Sequence, residues 1–168
     1  MVATALALVL FPAMMAFAAS SDLLTMTISN RVSLILIGGF FLFALVIGMS
    51  GSTMLWHIGA GGMVLAIAFG CFALGWIGGG DAKLAAATAL WFGFEHLLPY
   101  LFYASLFGGA LTLLLLSFRT LPLPQYLAAQ QWVLRLHDKK SGVPYGIALA
   151  AAALLVYPDT PWMKAVPA

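Results

Sequence analysis

The sequence predicts an all-α polytopic membrane protein of about six transmembrane helices, on three observations. The composition is 64% hydrophobic and only 7% charged, whereas soluble domains carry about 25% charged residues. The apolar residues fall into runs close to the length that crosses a hydrocarbon core of about 30 Å. The basic residues between those runs fall almost entirely on one side. Five acids and seven bases in 168 residues cannot solvate the surface of a soluble globule this size.

The first run, Val2 to about Ala19, is long enough to span. Ala16-Phe17-Ala18 resembles a signal-peptidase site, but no Lys or Arg precedes the run as a secretory signal requires, so it reads as a retained span with a kink at Pro12. A polar connector, Ser20 to Arg31, leads to a second span from about Val32 to Gly48. After a small uncharged turn, the third span runs from about Leu55 to Ile77, with Trp56 placed as an interfacial anchor. A glycine triplet, Gly78-Gly79-Gly80, precedes Asp81, and a fourth helix starts at Asp81 or Lys83 and runs to Glu95-His96. That helix is short, about 24 Å at 1.5 Å per residue, and snorkelling ends or local thinning absorb the shortfall. The fifth span is Leu97 to Phe118.

Arg119 to Gly142 is the one long polar connector. Tyr126, Ala129, Val133 and Leu136 recur in it near helical spacing, which predicts an interfacial amphipathic helix between spans five and six; an irregular loop is the alternative. Val143 to Tyr157 is the sixth span, and a proline-rich tail closes the sequence. Without repeats or linkers, residues 1–168 read as a single domain.

With six spans, Arg31, Lys83, Arg119, Arg135, Lys139 and Lys140 share one face and Lys164 lies on the other. The positive-inside rule makes the six-residue face cytoplasmic. Asp22 closes span one and Asp81 opens span four. Two complete crossings separate them, so both return to that same face.

Ionisable residues beside apolar spans are functional candidates by default. Either aspartate alone has a plain reading: Asp22 ends a span, and Asp81 caps a helix at its positive end. The two on one face, one of them behind three glycines, point further. Carboxylates held close cannot both ionise cheaply and come to share a proton, as in aspartic proteases. One then draws a proton from water while the other hydrogen-bonds the scissile carbonyl. This chemistry requires neither metal nor cofactor. The glycines let an extended substrate approach Asp81 without a side-chain clash.

Gly78-Gly79-Gly80-Asp81 fits the G-x-G-D signature of intramembrane aspartyl peptidases, and Gly-Asp-Ala-Lys-Leu, at residues 80–84, resembles the version in type IV prepilin peptidases. Asp22 through Asn30 resembles that family's first-aspartate motif, an Asp followed at fixed distance by Ile-Pro-Asn, with Ser29 in the proline's place. Pro144-Tyr145-Gly146-Ile147-Ala148 is similar to the short branch of tight-adherence pilus systems. The resemblance covers essentially the whole chain. It implies an endopeptidase of the bacterial inner membrane, active on the cytoplasmic side, that cleaves the leader of prepilin or pseudopilin substrates after a glycine that precedes their hydrophobic segment. Asp22 and Asp81 would be catalytic; Gly78, Gly80, Lys83 and Asn30 would contact substrate. Bifunctional members add a domain with paired C-x-x-C motifs that methylates the product; with the single Cys71 this chain reads as cleaving only.

Other polar residues carry plainer readings. Asp81 and Lys83, two apart, do not share a helix face, so Lys83 either contacts substrate or anchors topology by snorkelling. Glu95 lies about 21 Å along one helix from Asp81 and cannot be its partner. His57, His96 and His137 lack ligand spacing, so no metal site is expected. The cluster Arg135, His137, Lys139 and Lys140 suits anionic lipid, with docking of pilin or pilus assembly proteins as the alternative. Nothing points to nucleic acid. Two rival functions remain: a proton- or ion-coupled transporter using the acids as a relay, and a non-catalytic subunit whose aspartates are caps.

Overall fold

The computed structural model describes residues 6–164, and among them it holds helices and turns but no strand. The start of the first expected span, residues 2–5, and the end of the tail, residues 165–168, lie outside the described residues.

Helix α1 (Phe11–Thr25) continues a π-helical turn at Leu6–Leu10. Pro12, with no N–H to donate, sits in the first turn of α1, where a missing donor costs little. The helix runs on through Ser20-Ser21-Asp22, which the sequence reads as connector. Ser20 Oγ donates to Ala16 O at 2.8 Å and Thr25 Oγ1 to Ser21 O at 2.7 Å. These hydroxyls are satisfied one turn back, so they do not break the helix. Asp22 is therefore a residue of the last helical turn.

Ser29 caps α2 (Asn30–Val46) by accepting from Arg31 N, and Ser50 caps α3 (Gly51–Ala73) by accepting from Thr53 N. Helix α4 (Gly79–Phe118) is 40 residues long, about 60 Å or twice the hydrocarbon thickness. It is broken inside at Gly93, whose φ of 60° and ψ of −174° are essentially restricted to glycine. Spans four and five are thus the two arms of α4. They part at Gly93 rather than at Glu95-His96.

The connector forms two short helices, α5 (Gln125–Ala128) and α6 (Gln131–His137), instead of one amphipathic helix. Only Val133 and Leu136 of the expected apolar stripe are buried. Arg119 holds the connector, donating to Leu136 O at 2.8 Å and to Gly142 O at 2.7 Å. Helix α7 (Tyr145–Val156) is the last span, followed by a 3-10 turn (Tyr157–Asp159) and α8 (Pro161–Lys164).

The closing segment is more than a tail. Trp162 is fully buried, in an aromatic core with Trp91, Phe40 and Phe43, while Phe11 stacks on Tyr157 at 4.3 Å. The core also meets the backbone groups that the Gly93 break releases. His57 Nδ1 hydrogen-bonds Leu90 O at 2.9 Å, and Trp162 Nε1 donates to Trp91 O. Leu45, Leu55, Leu98, Leu113 and Leu114 are by contrast well exposed, as the lipid-facing side of a membrane protein requires.

Candidate active site

Asp22 is 5% exposed, and its Oδ2 accepts a hydrogen bond from Gly146 N at 2.7 Å. Gly146 lies in the first turn of α7, where backbone N–H groups have no acceptor within the helix. A carboxylate there satisfies such a donor and meets the positive end of the helix dipole. The fit depends on glycine. A Cβ at 146 would stand 2.8 Å from Asp22 Oδ2 and 2.7 Å from Ile28 Cδ1.

Asp81 is arranged in the same way at a second helix N-terminus. Gly78 is the N-cap of α4, and the Asp81 side chain turns back onto the Gly78 N–H. A Cβ at Gly78 would sit 2.8 Å from Asp81 Oδ2. The helix thus starts at Gly79 and is capped by Gly78, not by Asp81, which lies in the first turn. Asp81 also interacts with the Gly146 N–H and with the charge of Asp22. Both carboxylates line one cavity of about 290 Å³, whose other walls are Met26, Thr27, Ile28 and Gly78–Gly80. Two helix N-termini converge on two acids.

The segment between α1 and α2 closes the cavity. Helix α1 ends at Met26 in a left-handed conformation, φ 55°, with Met26 N bonded to Asp22 O at 2.8 Å. Non-glycine residues rarely adopt it, at a cost of about 1 kcal/mol or more. The turn sends Ile28 under the site, against both Gly80 and Gly146. A Cβ at Gly80 would lie 3.1 Å from Ile28 Cβ. Gly78 and Gly80 thus let the protein's own atoms close on the acids.

Lys83 and Asn30 stand apart from this cavity. Lys83 Nζ donates to Asn30 Oδ1 at 2.8 Å, and both line a different, apolar groove between α2, α3 and α4. Glu95 and His96 lie beyond the Gly93 break, with His96 Nε2 bonded to Asp159 O at 3.1 Å. Among the described residues no three His, Cys, Asp or Glu side chains are grouped to hold a metal ion.

Sequence reasoning names Ile28 and Gly146 only within the motifs of the resemblance, without a role at the acids, and assigns nothing to Met26. Gly146 carried a usable signal, a glycine two residues after a helix-opening proline. Met26 carried none, since nothing in its type announces a left-handed turn.

A family model described as the type IV leader peptidase family matches residues 9–113, which contain both aspartates, the glycine triplet, Asn30 and Lys83. No curated protein and no solved structure matches the chain.

Proposed function

We propose that this chain, which belongs to the type IV leader peptidase family, is an aspartic-type endopeptidase that removes the leader from prepilin-like proteins. The observation that carries the reading is the meeting of Asp22 and Asp81 in one cavity, with Asp22 held by the Gly146 N–H.

The pair holds one proton between two carboxyls. The ionised member takes a proton from a water, whose oxygen attacks the scissile carbonyl carbon. The protonated member hydrogen-bonds the carbonyl oxygen as negative charge develops there. When the tetrahedral intermediate collapses, the C–N bond breaks and the leaving amine takes a proton from the pair. The substrate enters extended, because a helix hides its carbonyls in its own hydrogen bonds. Gly78 and Gly80 let Asp81 and Ile28 pack closely at the wall of the cavity, and Lys83 with Asn30 contacts the substrate beyond it.

The acids lie at the bundle end that also carries Arg31, Lys83, Arg119 and Arg135. The positive-inside rule makes that end cytoplasmic, in a bacterial inner membrane. The 168 residues hold one cysteine and so no paired C-x-x-C site, and the activity proposed for them is peptide cleavage. A transporter relay would place acids near the midplane between repeats, whereas acids that close span one and open span four belong at a membrane boundary.

The test is co-expression with a candidate prepilin, following leader removal by gel shift. Wild type should shorten the prepilin, while Asp22→Asn and Asp81→Asn should each leave it uncut at normal membrane levels of the enzyme. Normal processing by either variant would sink the shared-proton mechanism.

A further inference from the structure

The connector between spans five and six ties together the two helix ends that hold Asp22. Asp22 lies in the last turn of α1, and the N–H that its carboxyl accepts comes from Gly146 in the first turn of α7. The spacing of those two turns decides whether that bond forms.

Two arginines bear on the spacing. Arg135, in α6, is exposed, yet its Nη1 donates to Leu24 O at 3.0 Å. Leu24 is two residues beyond Asp22, and its carbonyl is among the last four of α1, which have no partner within the helix. Helix α1 has no basic residue in its own last turn, so Arg135 supplies the cation that the negative end of the helix dipole favours. Arg119, at the end of α4, is 8% exposed and reaches the connector from the other side. Its Nε donates to Leu136 O at 2.8 Å, next to Arg135, and its Nη2 to Gly142 O at 2.7 Å, four residues before Gly146. Nη2 also donates to Ser141 Oγ at 3.2 Å, and that hydroxyl donates to Arg135 O. One planar guanidinium thus holds both α6 and the approach to α7.

These contacts close a ring around Asp22. From its carboxyl the ring runs to Gly146 N and back along the chain to Gly142 O. It crosses Arg119 to Leu136, then the Arg135 side chain to Leu24, and so returns to Asp22. We propose that Arg119 and Arg135 are positioning residues for the aspartate pair. Through the connector they hold the N-terminus of α7 against the last turn of α1, and so keep the Asp22 carboxyl on the Gly146 N–H. The inference rests on the peptidase reading and adds how its geometry is maintained. Neither arginine lines the carboxylate cavity, so both act through the residues that do.

The test uses full-length enzyme in membranes and a prepilin. Arg135→Met keeps the apolar stem and removes the donor, whereas Arg135→Lys keeps a charged donor for the single carbonyl. Arg135→Met should lower kcat per folded molecule by about tenfold or more with KM nearly unchanged, since a displacement near 1 Å costs about 10²-fold. Arg135→Lys should recover most of that loss. Combined with Gly146→Ala, Arg135→Met should add little further loss, because both act on the same carboxyl. Wild-type kcat in Arg135→Met, a loss confined to KM, or losses that multiply in the double variant overturn the proposal. Arg119→Met opens the same ring, so adding it to Arg135→Met should cost no more than the larger single loss, and multiplied losses count against the proposal here too. If Arg119→Met does not fold, the Arg135 series decides alone. Failure of the peptidase reading looks different: wild type then cuts no prepilin, and the positioning role falls with it.

Discussion

The first arm of α4 ends in a different environment at each extremity, although both are built on glycine. At its start, Gly78 and Gly80 bring backbone and Ile28 close to Asp81; at its end, Gly93 breaks the helix against His57. Both places release backbone groups that side chains must meet. At Gly93 these are carbonyls, and neutral donors meet them: His57 for Leu90 O, Trp162 for Trp91 O. Large aromatic rings then fill the surroundings. At the start they are N–H groups, met by carboxylates, and a cavity of about 290 Å³ is left beside them. The first solution stabilises the fold. The second leaves two acids beside an open cavity.

If that contrast is right, substitutions at the two ends separate activity from stability. Asp22→Asn and Asp81→Asn have the largest expected effect on activity, a loss of at least about 10²–10⁴-fold in processing rate, the range attributed to a general acid or base. Their thermal unfolding in detergent should stay close to wild type. A large drop in unfolding temperature without loss of rate per folded molecule would reverse the assignment of roles.

Gly146→Ala comes next. The added methyl would stand 2.8 Å from Asp22 Oδ2 and 2.7 Å from Ile28 Cδ1, so the carboxyl or the helix must shift. A displacement near 1 Å costs about 10²-fold in rate. Steady-state kinetics on purified enzyme should show this mainly in kcat. Wild-type kcat would mean that Asp22 does not depend on the Gly146 N–H for its position.

Gly93→Ala is the counterpart at the far end. Its φ of 60° and a Cβ 3.0–3.2 Å from the His57 ring both oppose the change. The strain predicts a loss of about 1–3 kcal/mol in stability. The fraction that folds should cleave at the wild-type rate. Reduced kcat with unchanged unfolding would show that the kink belongs to the site.

The same two ends differ in how much of them the sequence disclosed. The meeting of Asp22 and Asp81 was legible because it depends on counting crossings, and hydropathy reports crossings well. The place of Asp81 at a helix N-terminus was legible too, although the cap itself is Gly78 and Asp81 lies in the first turn. The break at Gly93 was not. It depends on His57 and Trp162, which are 36 and 69 positions away in the chain, and no local pattern tells Gly93 from Gly38 or Gly109. Gly146 was hidden for a related reason, since its N–H matters only once α7 is set against α1. Ser20 and Ser21 read as connector from their polarity, whereas α1 runs on through both, with Ser20 bonded back to Ala16 O and Ser21 to Thr27 O. Trp162 reads as part of a proline-rich tail because Pro161 and Pro167 flank it. Its burial is a tertiary fact.

Trp162→Phe has the smallest expected effect and is the most exacting test of how the aromatic end works. The variant removes the Nε1 donor to Trp91 O and keeps most of the ring packing against Phe43 and Trp91. If the role of Trp162 is to satisfy the carbonyl freed by the break, the cost is that of one buried acceptor left unmet, about 1–3 kcal/mol. If the ring alone matters, the cost is a small packing loss. Trp162→Leu, which removes both ring and donor, separates the two terms when measured beside it. A stability difference between wild type and Phe that exceeds the difference between Phe and Leu assigns the larger share to the hydrogen bond. The opposite order assigns it to packing, and His57 then becomes the principal polar partner of the kink.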